Sequence, residues 1–221
     1  MSFNGFSEEF VDLFFTLQFN NTNELLPQNK IKYKKLITEP LLLLYNNLVP
    51  TVRSISESII IKPSKCISSM YNDMRFSRDT PLKSYMYLRF REPFNEKDVL
   101  GFYFDMGFKH YSCGIRIYKQ TSSGMEKIRK CVIENSKPFI HELEQLSGLG
   151  MHIFGESFVK DRYDNINNKY VKELLNKKGF YIGCNYNISP IVFSHELALE
   201  LQQTYQNLSR FYLLLKKALY F

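Results

Sequence analysis

The chain has 221 residues and a formal net charge of +7, and 44% of its residues are apolar, including 19 Phe and 15 Tyr. This composition supports a buried core and excludes an intrinsically disordered protein. Apolar runs such as residues 41–45 are far shorter than the roughly 20 residues that a membrane-spanning helix needs. We therefore predict one domain over residues 1–221 and no membrane contact.

The start of the chain and its cysteines indicate the compartment. Residues 1–5 contain no basic segment followed by an apolar stretch, which is the pattern of a signal peptide. Cys66, Cys113, Cys131 and Cys184 are widely spaced and form no CxxC pair, so we expect reduced, mostly buried thiols. Both observations predict a cytoplasmic protein.

The first third of the sequence predicts helices. Apolar residues at helical spacing indicate an amphipathic helix that ends near Asn20 and Asn21. A second helix is expected from Pro27 onward, with Pro40 as a kink or a break and residues 41–44 buried on most sides.

The middle of the sequence predicts strands. In residues 85–91, Met86, Leu88 and Phe90 alternate with tyrosine and arginine, which indicates a half-buried strand of an antiparallel sheet. Two further strands are expected at residues 100–106 and 111–118, joined through Gly107, and another at 180–186.

Helices are also expected in the last half of the chain. Ser123 and Glu126 fit a capping box that begins one helix, and Ser136 precedes a second. A short helix at about residues 168–178 and a long C-terminal helix after Pro190 follow. The predicted fold is a single α+β domain, a largely antiparallel sheet covered by helices from the N- and C-terminal thirds.

The segment at residues 73–83 concentrates fixed charge and is the candidate functional site. Arg75, Arg78 and Lys83 are the candidate anion ligands, and Arg116 on a predicted neighbouring strand is a fourth. Asp73, Ser77 and Asp79 are expected to support the loop through ion pairs and turns.

Two interpretations of this loop remain open, and both require its guanidinium groups to be held in a fixed geometry. In the first, the protein binds a phosphorylated or carboxylated small molecule through the basic loop. In the second, the arginines pair with Asp73 and Asp79, the loop is purely structural, and the protein is an interaction or scaffold module.

The sequence lacks the motifs of the catalytic and metal sites that we tested. Neither His141 nor His195 is followed by a second histidine four residues later, so the zinc-protease motif is missing. Ser77 has no base close in sequence, and arginine-flanked carboxylates are poor proton donors. We predict no catalytic residue, no metal and no cofactor, and leave open whether the protein is an enzyme.

The polar face of the first predicted strand indicates which kinds of partner the protein binds. The polar face of the strand at 85–91 combines Tyr85, Tyr87, Arg89 and Arg91, but it lacks the glycine-bracketed aromatic motif of an RNA-binding sheet. We therefore expect an anionic small molecule and not nucleic acid. A protein partner and the oligomeric state are left open.

The loop also carries a family resemblance. Residues 75–83 read Arg-Phe-Ser-Arg-Asp-Thr-Pro-Leu-Lys, which resembles the Arg-Phe-Ser-Lys-Asp-Lys-x-Pro-Tyr-Lys core of the family called domain of unknown function 2461. The order and spacing of further matches agree with that family: residues 10–17, 20–21, 24–26, 29–30 and 33 upstream, and residues 101–104, 114–118 and 128–129 downstream. The resemblance implies an α+β intracellular protein and leaves its function open.

Departures from the family pattern indicate a divergent member. The core is one residue shorter and has Leu82 in place of tyrosine, while Leu25 and Leu26 replace Trp-Phe. Residues 158–166 lack the usual proline and glycine. If the family's site uses the missing lysine or tyrosine, its activity is expected to be altered or lost here.

Overall fold

The fold was determined as a computed structural model that describes residues 2–73, 75, 77 and 79–221. It is an α+β fold with a five-stranded antiparallel sheet in the order β1-β2-β3-β5-β4, which confirms the predicted fold class. The strands are β1 (Met86–Arg91), β2 (Val99–Met106), β3 (His110–Tyr118), β4 (His152–Phe154) and β5 (Tyr181–Asn187). The α-helices are α1 (Glu9–Phe19), α2 (Leu26–Tyr33), α3 (Glu39–Ile55), α4 (Pro63–Cys66), α5 (Ser122–Glu134), α6 (Ser136–Gly148), α7 (Lys169–Asn176) and α8 (Glu196–Tyr220).

The chain forms two compact units. The first comprises Met1–Phe90, Tyr103–Cys113 and Asn185–Gln203, and the second comprises Arg91–Phe102, Gly114–Cys184 and Thr204–Phe221. The assignment of residues 1–221 to one domain stays a prediction. None of the helices in the described ranges combines the length and apolarity that a bilayer crossing requires.

The core of the first unit contains the N-terminal helices. Phe10 and Phe14 of α1 are fully buried and their rings pack edge to face at 5.7 Å between centroids. Tyr45 of α3 stacks on Phe90 of β1 at 5.7 Å. The second contact packs α3 against Phe90, which lies on the face of β1 that the alternating sequence predicted to be apolar.

The position of Pro40 and the burial of the leucine run at residues 41–44 differ in part from the prediction. Pro40 lies in the first turn of α3, where its missing N–H is tolerated, and a π-helical turn at Lys34–Thr38 precedes it. Leu41 and Leu44 are buried, but Leu42 is 42% exposed. Leu42 therefore departs from the expectation that the run is buried on most sides, because one side of α3 faces solvent.

The core of the second unit lies between α8 and β2. The ring of Phe102 stacks on Tyr212 at 4.4 Å and 8° and contacts Tyr205 at 4.8 Å. At Gly114 of β3, a Cβ atom would lie 2.0 Å from the Ile182 carbonyl oxygen of β5, so the close approach of these strands requires glycine.

Two local predictions in the second unit are corrected. The N-cap of α5 is Thr121, whose Oγ1 accepts from the Gly124 amide at 3.0 Å, and not Ser123. Thr121 is selected because Asp98 accepts hydrogen bonds from both its amide and its hydroxyl, at 2.6 and 2.7 Å. Strand β4 was missed; it pairs antiparallel with β5, with His152 opposite Gly183.

Candidate functional site

Main-chain and asparagine hydrogen bonds anchor the base of the charged loop in the first unit. Tyr71 and Leu82 form an antiparallel bridge, and the Lys83 amide donates to the Met70 carbonyl at 2.9 Å. The side-chain amide of Asn72 donates to the carbonyls of Thr80 and Leu82 at 2.7 and 2.8 Å. The two ends of the loop are thus tied together by polar contacts that need no charge.

Asn21 completes this anchor from the end of α1. Its side-chain amide donates to the Leu82 carbonyl at 2.6 Å, and its Oδ1 accepts from the Leu82 amide at 3.2 Å. Asn21 is buried, and so is Leu82. From the sequence, Asn21 was predicted only to end a helix. Its role as an anchor of the loop depends on Leu82, 61 positions away, and no local pattern shows such a contact.

At the tip of the loop, Arg75 and Asp73 form an ion pair in solvent. Arg75 Nη2 lies 2.6 Å from Asp73 Oδ2, and the Arg75 side chain is 81% exposed. Hydrogen bonds from Arg75, first from its side chain and then from its amide, lower the pKa of the Asp73 carboxyl. The pairing of Arg75 with Asp73 agrees with the structural interpretation, but its exposure departs from the fixed, enclosed corner that both interpretations require.

The other predicted loop residues have less distinctive surroundings. The Ser77 amide donates to the Asp73 carbonyl at 3.0 Å, Asp79 is exposed, and the support that these residues were expected to give the loop stays a prediction. Arg78 lies outside the described residues, so its proposed pairing and its role in anion binding stay predictions.

Lys83 lies at the base of the loop and contacts the polar face of β1. Its ammonium donates to the Ser69 carbonyl at 2.9 Å and lies 5.4 Å from the ring centroid of Tyr87. The guanidinium carbon of Arg89 lies 3.8 Å from the centroid of the same ring. Tyr87 and Arg89 share one face of β1 because alternate residues of a strand do, and the chain that precedes β1 brings Lys83 to the same ring.

The charge of Arg89 acts on the neighbouring ammonium group of Lys83. Burial, and after it the positive charge of Arg89, lower the pKa of the Lys83 ammonium below its ordinary value. A dominant carboxylate neighbour would instead raise this pKa. Lys83 and Arg89 are therefore two neighbouring cations, and Lys83 is partly shielded from water.

Tyrosines border the cluster. Tyr85 is 46% exposed, and its ring lies 6.3 Å from that of Tyr87 at an angle of 28°. The Tyr33 hydroxyl at the end of α2 donates to the Tyr85 carbonyl at 3.3 Å, and burial, with smaller effects of Tyr85 and Tyr87, raises the pKa of Tyr33. We call Lys83, Tyr85, Tyr87 and Arg89 the basic tyrosine face.

Arg116 belongs to the second unit. Its guanidinium carbon lies 4.6 Å from the ring centroid of Tyr181, and that ring stacks on Phe154 at 4.9 Å. These contacts place Arg116 in an aromatic row across β3, β5 and β4. Its participation in an anion site with the loop stays a prediction.

A buried carboxylate in the second unit was not singled out by the sequence. The Glu92 side chain is fully buried; the Tyr212 hydroxyl donates to its Oε1 at 2.8 Å, and Lys216 Nζ lies 3.1 Å from the same oxygen. Burial and then the charge of Glu92 raise the pKa of Tyr212 well above its ordinary value. The three groups neutralise and hydrogen-bond one another, which indicates a structural role.

Metal and thiol chemistry have little support in the described residues. Within them, no three His, Cys, Asp or Glu side chains are grouped so that they could hold a metal ion. The predictions of no metal and no cofactor stay predictions. The four cysteines form no disulfide, and three of them, Cys66, Cys113 and Cys184, are buried.

The fold and this site define an α+β protein with a basic tyrosine face beside an anchored, charged loop. The sequence model of a conserved hypothetical protein family, DUF2461, matches residues 9–213. The chain therefore belongs to this family, as the loop and its flanking motifs predicted. A comparison with curated proteins gives no match.

Proposed function

We propose that the first unit binds a small phosphorylated or carboxylated anion at the basic tyrosine face. The observation that carries this proposal is the placement of two cations, Lys83 and Arg89, on the ring of Tyr87 at 5.4 and 3.8 Å. Neighbouring like charges repel, and a bound anion relieves this repulsion. Arginine provides a planar fork for the anion, and lysine a compact charge.

The proposed site is centred at the base of the loop and not at its tip. Lys83 remains in it, Arg89 joins it, and Arg75 becomes an outlying residue because its guanidinium pairs with Asp73 in solvent. Tyr85 offers an exposed ring at the border, which suits a ligand with a flat or apolar part.

Calorimetric titration with inorganic pyrophosphate and with succinate tests the proposal. We expect binding of at least one anion that weakens with added salt, and a loss of about tenfold in affinity in Lys83→Gln and in Arg89→Gln. Lys62→Gln removes an exposed lysine of the same unit and is the matched control. Arg89→Lys keeps the charge and covers the case in which Arg89→Gln fails to fold.

Titration across pH provides a second readout. Because the pKa of Lys83 is lowered, its charge is lost at a lower pH than that of an ordinary lysine. We expect anion affinity to fall as the pH rises through this pKa, and Lys83→Arg to move the decline to higher pH. Equal affinities in the wild type and in Lys83→Gln at every pH would refute the proposal.

A protein-interaction role is a second candidate, and an exposed aromatic cluster favours it. Phe15 and Phe19 of α1 are 51% and 77% exposed, and the Phe15 ring contacts those of Phe19 and Phe108 at 5.0 and 5.7 Å. Exposed aromatic residues are enriched in protein interfaces. The test compares partners that co-purify with the wild type and with a Phe15→Ser/Phe19→Ser variant; identical partners would count against this role.

We also propose that the protein resides in the cytoplasm. The support is the absence of a disulfide among its four cysteines, three of which are buried. Fractionation of the source cells with antibody detection tests this, and recovery in a secreted or organellar fraction would contradict it.

A further inference from the structure

A lysine-lined cavity in the second unit lies outside the site described above. It has a volume of about 430 Å³ and is bordered by one face of α5 and by the last turn of α8. The cavity is open to solvent, and its volume lies within the roughly 300 to 1,000 Å³ that is common for ligand sites in proteins.

The charged side chains of the cavity wall are mainly positive. Lys127, Lys130 and Lys217 line it, together with one carboxylate, that of Glu134. Lys130 Nζ lies 3.9 Å from Glu134 Oε1, and both side chains are largely exposed, so this pair neutralises little. The lining therefore has an excess of positive side-chain charge that favours an anion.

Attraction to the carbonyl end of α8 explains the position of only one of these three lysines. Carbonyl groups in the last turn of a helix attract cations, and Lys127 Nζ lies 3.4 Å from the Leu219 carbonyl oxygen. This contact is long for a hydrogen bond and involves one of the three lysines.

The apolar part of the wall is held in place. The Tyr220 hydroxyl donates to the Asp98 carbonyl at 2.9 Å and accepts from the Leu100 amide at 2.8 Å. Its ring also contacts Phe94 at 5.0 Å between centroids. Tyr220 thus gives the cavity a fixed aromatic surface next to the lysines.

We propose that this cavity binds an amphipathic organic anion. Its carboxylate, sulfonate or phosphate group contacts Lys127 and Lys217, and its apolar part packs against Tyr220. This site is independent of the basic tyrosine face, and either can exist without the other.

Cys131 provides a reporter, because it also lines the cavity and is half-buried, whereas the other three cysteines are buried. The probe is anilinonaphthalene sulfonate, an aromatic anion whose fluorescence reports binding. We expect it to bind the folded full chain and to slow alkylation of Cys131 by neutral iodoacetamide. Cys131→Ser identifies the alkylated residue.

Charge variants decide whether the cavity is the binding site. Lys127→Gln/Lys217→Gln is expected to weaken probe binding about tenfold and to abolish the protection of Cys131. Lys137→Gln changes an exposed lysine of α6 and is the control; we expect it to keep both probe binding and the protection of Cys131. The charge-preserving variant Lys127→Arg/Lys217→Arg is expected to keep both as well. Full protection in the glutamine variant, or no protection in the wild type, overturns the proposal.

A further variant separates the two proposals. Lys83→Gln is expected to leave probe binding and Cys131 protection unchanged, while Lys127→Gln/Lys217→Gln leaves pyrophosphate or succinate binding at the basic tyrosine face unchanged. A change in Cys131 protection caused by Lys83→Gln would contradict the assignment of the probe to the cavity.

Discussion

The ion pairs Asp73–Arg75 and Glu92–Lys216 have similar chemistry and opposite surroundings. The first lies at a loop tip, where the Arg75 side chain is 81% exposed; the second joins a fully buried Glu92 to Lys216, of which 16% is exposed. Water screens the first pair and competes for its hydrogen bonds, whereas the second must satisfy its charges internally. A dense run of charge is conspicuous in a sequence, but burial decides how much a pair contributes to stability.

The largest expected effect follows from removing the buried carboxylate. Glu92→Ala leaves Lys216 and the Tyr212 hydroxyl without their acceptor, and we expect it to lower the free energy of unfolding by about 3–5 kcal/mol. Urea denaturation measures this. Glu92→Gln/Lys216→Met removes both charges and is expected to recover much of the loss; a loss below about 1 kcal/mol in Glu92→Ala would show that the pair is not structural.

The next effect concerns the base of the charged loop. Asn21→Ala leaves the buried amide and carbonyl of Leu82 without their side-chain partner, so we expect a loss of about 2 kcal/mol in unfolding free energy. Asn20→Ala changes the neighbouring exposed asparagine and is the matched control. Equal stability of the two variants would mean that the loop base is held by its main-chain contacts alone.

A smaller effect is expected at alkaline pH. The pKa of Tyr212 is raised in the folded protein, so the folded state keeps a proton that the unfolded state releases near pH 10. Its contribution to stability is therefore complete below about pH 10 and is lost as the pH rises further, by up to about 1.4 kcal/mol per pH unit. Tyr212→Phe should flatten this decline in urea denaturation, while Tyr163→Phe, a half-buried tyrosine of the same unit, should keep it.

Local sequence patterns predicted most of the fold. Alternation of apolar and polar residues located β1 and β3, strands were also predicted at the positions of β2 and β5, and helices were predicted at α1 and α5 to α8. Strand β4 has only three residues and forms through pairing with β5, so its own sequence carries little signal. The N-cap at Thr121 was missed for a similar reason, because its partner Asp98 lies 23 residues away.

The candidate site was predicted only in part. The sequence located Lys83 and the alternation of Tyr85, Tyr87 and Arg89, because residue spacing defines the faces of a strand. It did not show that Asn21 anchors the loop, or that Lys83 and Arg89 share the ring of Tyr87. These features depend on tertiary packing.

The smallest expected effect is at the loop tip, and it separates the two interpretations of the charged segment. Arg75→Ala removes an exposed ion pair, so we expect the melting temperature to stay within experimental error, as in the matched variant Asp73→Ala. A sharp decrease would instead assign a structural role to the tip and favour the scaffold interpretation. If stability is unchanged and pyrophosphate affinity falls, Arg75 contributes to the anion site; if neither changes, binding depends on Lys83 and Arg89 at the loop base.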